Sequence, residues 1–159
     1  MQPRSYLSCF ASLFLVVLFL AGCGRQAQPA WSWMGEMKRP DGTPVEMAGV
    51  GTGPVVFVFF SSWSTPCAPM LAELPMLQDK ARVVAVLCEP DTVNAADRWP
   101  QLEIALDPDL GIARRFDVSA LPTSALLDRR GNVVERFEGY SPAVCSLLSV
   151  RLDSLNAQP

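Results

Sequence analysis

A buried strand that runs directly into a helix with a thiol at its start constrains the fold of this chain more than any other feature. The strand, Val55–Phe60, is a short and uninterrupted run of β-branched and aromatic residues. Such a run is typical of a strand buried on both faces. Pro66 suits the first turn of the helix that follows, and Ser64 or Thr65 is expected to cap it. The sequence therefore predicts a strand, a short connection and a helix with Cys67 in its first turn.

The segments that follow predict an α/β domain. Pro75 falls inside the apolar pattern of the first helix and is expected to kink it. Further strands are predicted at 82–88, 102–106, 123–127 and 133–137, and further helices at 92–99, 109–116 and 141–155. Strand–helix–strand units followed by a hairpin and a helix imply a central mixed β-sheet covered by helices on both faces. A turn signal at 41–44 is expected to close a small N-terminal hairpin.

The first 22 residues have the order of a secretory signal. Arg4 supplies a positive charge, the apolar run LFLVVLFL follows, and two small residues precede Cys23. The sequence LAGC resembles the bacterial lipobox, in which the peptide before the cysteine is removed and the cysteine is lipidated. The resemblance predicts a lipoprotein signal peptide at 1–22, a lipidated Cys23 with a spacer at 23–32, and a domain on the periplasmic face of a bacterial membrane. The alternative is an uncleaved N-terminal anchor.

Composition excludes several kinds of site. After residue 22, the chain has 12 basic and 16 acidic side chains and no basic run longer than two residues, so nucleic acid is not an expected partner. The chain has no histidine, which excludes a His-based triad and a His-ligated metal, and no cofactor or metal is expected. With Cys9 in the signal and Cys23 acylated, three thiols remain: Cys67, Cys88 and Cys145. An odd count in an oxidising compartment leaves at least one thiol free or paired with another molecule.

Several motifs follow one another along the chain in a distinctive order. They are the Asp41-Gly42 turn, Trp63-Ser64-Thr65-Pro66-Cys67, Pro75, Leu106-Asp107-Pro108-Asp109, Val118-Ser119-Ala120-Leu121-Pro122-Thr123, Leu127-Asp128-Arg129-Arg130-Gly131 and Gly139-Tyr140. This order resembles the TlpA/ResA-type thioredoxin-like (redoxin) proteins, which are membrane-tethered thiol–disulfide oxidoreductases of the bacterial periplasm. The resemblance covers a domain at 33–155 and leaves 156–159 as a tail.

The resemblance implies a thioredoxin-like fold and periplasmic thiol or disulfide proteins as partners. It also implies that Pro122 is a cis proline packed beside the active-site helix, a conformation that other residues adopt only at high cost. A substrate-binding surface is expected to contain the following residues: Trp63, Thr65, Pro66, Leu121 and Pro122.

The chain departs from this family at the residue that matters most. Members of the family usually have a nucleophilic cysteine where this chain has Ser64, and a hydroxyl neither ionises near neutral pH nor forms a disulfide. Cys67 matches the second cysteine, so the usual intramolecular redox cycle is impossible here. Cys67 is then either a reactive monothiol or an inert residue. Cys88 is either a substitute resolving thiol at the end of a strand or a structural cysteine. Cys145 lies on the apolar face of the last helix and is expected in the core.

Three functions remain open on these grounds. The first is thiol–disulfide exchange through a mixed disulfide at Cys67. The second is peroxidase-like chemistry, in which the Ser64 hydroxyl holds a peroxide while Cys67 becomes a sulfenic acid; against it, Phe60 stands where peroxiredoxins have a proline. The third is a non-catalytic module that binds an extended peptide near Pro122. Burial of Cys67 away from solvent and from every other cysteine would leave only the third.

The charged residues near the site are expected to be solvated. Glu89 and Asp91 follow a predicted strand and are interpreted as loop charges rather than proton donors. Arg129 and Arg130 are interpreted as exposed residues at a hairpin tip.

Overall fold

The computed structural model describes residues 36–46, 51–90 and 95–158. The predicted signal peptide, Cys23 and its spacer lie outside these residues. Within them the elements follow in chain order: β1 (Val55–Phe60), α1 (Cys67–Glu73), β2 (Arg82–Leu87), α2 (Ala95–Arg98), β3 (Glu103–Leu106), α3 (Gly111–Arg115), β4 (Thr123–Leu127), β5 (Val133–Glu138) and α4 (Val144–Asn156). No helix among the described residues is long and apolar enough to cross a membrane.

The strands form one mixed sheet in the order β3-β2-β1-β4-β5. β1, β2 and β3 are parallel, whereas β4 runs antiparallel to β1, and β5 runs antiparallel to β4. The strand-alternating geometry of β1 places Val56, Val58 and Phe60 on one face, where they pack with α1 and α4. Phe57 and Phe59 point to the other face, where residues of α3 cover them. The predicted sheet with a core on each face is therefore confirmed.

The connection after β1 differs in one detail from the prediction. α1 begins at Cys67 with Pro66 at its N-cap, and no side chain caps it. The predicted cap by a Ser64 or Thr65 hydroxyl is wrong, because the turn is closed by the backbone instead: the Cys67 N–H donates to the Ser64 carbonyl at 3.0 Å. The predicted kink is confirmed, since α1 gives way to a 3₁₀ turn at Leu74–Leu77 that contains Pro75.

Turns with acidic residues close the two hairpins. The Asp128 carboxylate accepts the N–H groups of Arg130 and Asn132, which fixes the turn between β4 and β5. The Asp41 carboxylate accepts the Thr43 N–H in the same way. The N-terminal segment then bridges through Lys38 to Pro44 and to Leu106 on β3. The expected N-terminal turn is therefore present, and it covers the edge of the sheet.

Candidate active site

Three chain segments meet where β1 and β2 end and β4 begins. β1 is central and pairs with both neighbours, so Phe60 lies beside Leu87 and Phe59 beside Thr123. The loop to α1 follows β1, Cys88 and Glu89 follow β2, and the cis Leu121–Pro122 peptide precedes β4. The carboxyl ends of parallel strands are where sheets of this kind carry their sites.

A groove of about 460 Å³ opens at this edge of the sheet. Four of the candidate site residues line it: Trp63, Ser64, Cys88 and Leu121. Its opposite wall comes from α3 and the residues on either side of it, among them Leu110, Arg114 and Val118. Of the predicted substrate-binding residues, Trp63 and Leu121 line the groove, whereas Thr65, Pro66 and Pro122 do not. Leu110 and Arg114 of the opposite wall belong to none of the sequence motifs.

Cys67 lies behind this groove rather than in it. Its exposed fraction is 1%, and it packs in the core between the sheet and α4. Ser64 is half-buried, and Thr65 and Pro66 are exposed at the start of α1. Position 64 is therefore the accessible one, and it holds a hydroxyl, whereas the thiol at position 67 is buried.

Cys88 contributes the thiol nearest to the groove. It is 8% exposed, and its N–H donates to the Phe60 carbonyl at 2.8 Å. Burial raises the pKa of the Cys88 thiol to about 12, with further contributions from the charges of Asp107 and of Cys67. The contribution of Cys67 to the pKa of Cys88 indicates that the two side chains are near each other, and both thiols are free in this structure.

Cys145 belongs to the core, as predicted. Its sulfur lies 3.9 Å from the Met70 sulfur, on the side of α1 that faces α4. Burial raises the pKa of Cys145 to about 12, and a hydrogen bond with Glu73 adds to the effect. Glu73 also accepts a hydrogen bond from the Tyr140 hydroxyl at 2.8 Å. These contacts tie α1 to the last helix.

Glu89 is not the solvated loop charge that the sequence suggested. It is 7% exposed, and its carboxylate accepts the Ser62 N–H at 3.1 Å. The loop that follows β1 thus offers a donor that satisfies the buried carboxylate, a partner that no local pattern around position 89 indicates. The Ser61 hydroxyl beside it is also buried and has no hydrogen-bond partner among the described residues. Asp91 lies outside these residues.

No group of three or more acidic or cysteine side chains suited to a metal ion occurs in the described part of the chain. Arg129 and Arg130 are exposed at the tip of the β4–β5 hairpin, as predicted. They lie near Pro54, which precedes β1, and so at the end of the sheet opposite the groove.

Comparison with known proteins gives a consistent family. The family model described as Redoxin matches residues 25–150. The thiol-disulfide oxidoreductase ResA of Bacillus cereus is 28% identical over 108 residues, and the match spans 62% of each protein. A putative thiol:disulfide interchange protein DsbE from Chlorobium tepidum superposes with a TM-score of 0.66 at 26% identity, over 75% of this chain and 90% of that one. The exposed lipoprotein thioredoxin Etrx1 of Streptococcus pneumoniae has the same fold, with a TM-score of 0.64 at 18% identity over 75% and 97% of the two chains.

Proposed function

Because the chain belongs to the Redoxin family, we propose that it is a thiol–disulfide exchange protein that acts through Cys67 alone. The observation that carries the proposal is the order of groups at the site. Ser64 occupies the accessible position beside the groove, and Cys67 follows in the first turn of α1. Of these two positions only 67 carries sulfur, and an alcohol does not form disulfides, so exchange at this motif falls to Cys67.

The reaction is a pair of sulfur exchanges. The Cys67 thiol gives up its proton to solvent, and the thiolate attacks one sulfur of a substrate disulfide. A Cys67–substrate disulfide forms, the substrate S–S bond breaks, and the departing thiolate takes a proton. The thiolate of an external protein or small molecule then attacks the substrate sulfur of the mixed disulfide. A disulfide forms between these two sulfurs, the bond to Cys67 breaks, and the released Cys67 thiolate takes a proton. Since Cys67 is buried, the first turn of α1 has to open before the attack, so exchange is expected to be slow.

The test is exchange with a model disulfide by native and substituted protein. Incubation with oxidised glutathione is expected to add one glutathione to the Cys67 peptide, and reductant is expected to remove it. Cys67→Ala should abolish both the adduct and any reduction of insulin, while Cys145→Ala, which removes a core thiol on α4, should leave them unchanged. An unchanged rate of insulin reduction in Cys67→Ala would rule the mechanism out.

A second candidate is a redox-inactive binding module, and the burial of Cys67 favours it. In this version the groove holds a thiol or disulfide protein without exchanging sulfur. Replacing both Ser64 and Cys67 by alanine separates the candidates. Exchange at Cys67 predicts that native protein forms the adduct, whereas the double variant retains the partner but forms no adduct. The binding module predicts that native protein already forms no adduct and that both proteins retain the partner.

The proposal places the domain on the periplasmic face of a bacterial membrane, anchored through Cys23. Its support is the lipobox-like LAGC sequence and the likeness to an exposed lipoprotein thioredoxin. The mass of the mature N-terminus tests it: a diacylated or triacylated cysteine is expected, and Cys23→Ser should release the protein from the membrane fraction. An intact residue 1 in the mature protein would contradict it.

A further inference from the structure

The groove beside Ser64 exposes more apolar surface than a solvated cleft requires. Trp63, on the β1–α1 loop, is 75% exposed, and Leu110, on the opposite wall, is 41% exposed. Large apolar side chains that face each other across a groove are typical of a surface that binds another molecule. The apolar side chains of Val118 and Leu121 continue this lining between the two walls.

The start of α3 is bonded to a buried carboxylate, Asp107. Asp107 accepts the N–H groups of Ile112 and Ala113 at 3.1 and 2.7 Å, and its carbonyl accepts the Leu110 N–H at 3.1 Å. These bonds hold the Leu110 backbone in a left-handed conformation with φ of 56°, which residues other than glycine rarely adopt. The exposed Leu110 side chain is therefore positioned at the groove by the hydrogen bonds of Asp107.

A cationic side chain, Arg114, also lines this apolar groove. It projects from α3, and no carboxylate pairs with it in the described part of the chain. Its neighbour Arg115 pairs with Glu36 at 3.9 Å. Three carboxylates around the groove have partners of their own: Glu89 and Asp107 accept backbone N–H groups, and Glu138 accepts the Ser119 hydroxyl. The side chain at position 114 is thus left to pair with a charge on the bound molecule.

We propose that this groove binds an extended segment of a partner polypeptide that carries a large apolar side chain and, within two or three residues of it, an acidic side chain. The apolar side chain packs between Trp63 and Leu110, and the carboxylate pairs with Arg114. Charge complementarity selects the occupant, because a partner with a basic residue at the same place would meet Arg114. The inference deepens the proposed function by naming the substrate class, but binding itself does not require Cys67.

The test uses fluorescein-labelled nonapeptides and the mature protein in fluorescence anisotropy titrations. All peptides contain a phenylalanine next to a serine in place of the exchanging cysteine, and they differ only in carrying aspartate, asparagine or lysine two residues further on. Native protein at low salt is expected to bind the aspartate peptide about two- to fivefold more tightly than the asparagine peptide, the range of a single exposed ion pair. The lysine peptide is expected to bind more weakly still. Raising the salt concentration to about 0.5 M should remove most of this preference.

Substitutions then assign the preference to its residue. Arg114→Gln should abolish the difference in affinity among the three peptides, and Arg114→Glu should reverse their order of affinity. Arg129→Glu is the matched control, since it makes the same charge change at the opposite end of the sheet, and it should leave the order unchanged. Trp63→Ala should lower the affinity for all three peptides about equally, by roughly tenfold, because it removes apolar contact area. Circular dichroism confirms that each variant is folded.

Two results would overturn the inference. One is native protein that binds none of the peptides or binds all three equally at low salt; the other is an unchanged order of peptides in Arg114→Gln. Failure of the exchange mechanism is distinguishable from both. If Cys67→Ala retains the peptide order and native protein forms no glutathione adduct, the groove assignment stands and only exchange at Cys67 fails.

Discussion

The Ser64→Cys variant allows the reactivity of an accessible thiol at position 64 to be compared with that of the buried thiol of Cys67. Ser64 is half-buried beside the groove, whereas Cys67 is 1% exposed. Exposing Cys67 breaks the bond from its N–H to the Ser64 carbonyl, at about 1 kcal/mol, and returns a small apolar side chain to water, at about 2 kcal/mol. Since about 1.4 kcal/mol corresponds to a factor of ten, a cost of about 3 kcal/mol slows reaction at Cys67 roughly a hundredfold relative to an accessible thiol.

The assay is pulsed alkylation of Ser64→Cys with iodoacetamide, read by peptide mass spectrometry. The new thiol at position 64 should be labelled about a hundredfold faster than Cys67 in the same molecule. The variant should also oxidise to a 64–67 disulfide and reduce insulin as a dithiol. Ser154→Cys adds an exposed thiol on α4 away from the site and should gain no insulin activity. Equal labelling rates at positions 64 and 67 would refute the reasoning, because they would mean that Cys67 is accessible without opening of α1.

Three further outcomes follow from the packing and the charges. Burial alone would raise the pKa of Glu103, but hydrogen bonds from Arg82 and Arg39 outweigh it and hold the pKa below its usual value. The free energy of unfolding, measured by urea titration, should therefore fall as the pH drops below about 4.5. Glu103→Gln should make that fall less steep. The raised pKa of Cys88 makes the folded state favour the neutral thiol, so stability should decline as pH rises from about 9 towards 12, less steeply in Cys88→Ala. Leu71→Ala, at a fully buried position of α1, should lower the free energy of unfolding by about 2 to 5 kcal/mol in the same titrations.

The elements that sequence predicted best are those whose residues are buried all round. The bounds of β1 and β4 match the predictions, because each is a run of buried residues between clear turn signals. Helix ends were predicted less well: 109–116 became Gly111–Arg115, since α3 begins only after the left-handed Leu110. Of the predicted helix at 92–99, residues Ala95–Arg98 are helical, and 92–94 lie outside the described residues. End positions depend on local capping contacts that a hydrophobic pattern does not encode.

The parts of the site that lie within the sequence motifs were predictable. The loop from Trp63 to Cys67 and the Leu121–Pro122 peptide lie together because each adjoins the end of a central strand. The α3 wall with Arg114 was not predictable, since its place depends on how Asp107 fixes a loop that is distant in sequence from the thiol motif. Glu89 was misjudged for the same reason: its partner, the Ser62 N–H, lies 27 residues away.

The most direct test of exchange at Cys67 is the redox state of the three thiols in protein taken from cells. The cells are lysed without reductant into an alkylating reagent, and the mature protein is mapped by mass spectrometry. Exchange predicts that part of the Cys67 population carries a mixed disulfide that reductant removes, and that Cys145 is free throughout. A Cys67 that is free in every molecule, and remains free after incubation with excess oxidised glutathione, would contradict it.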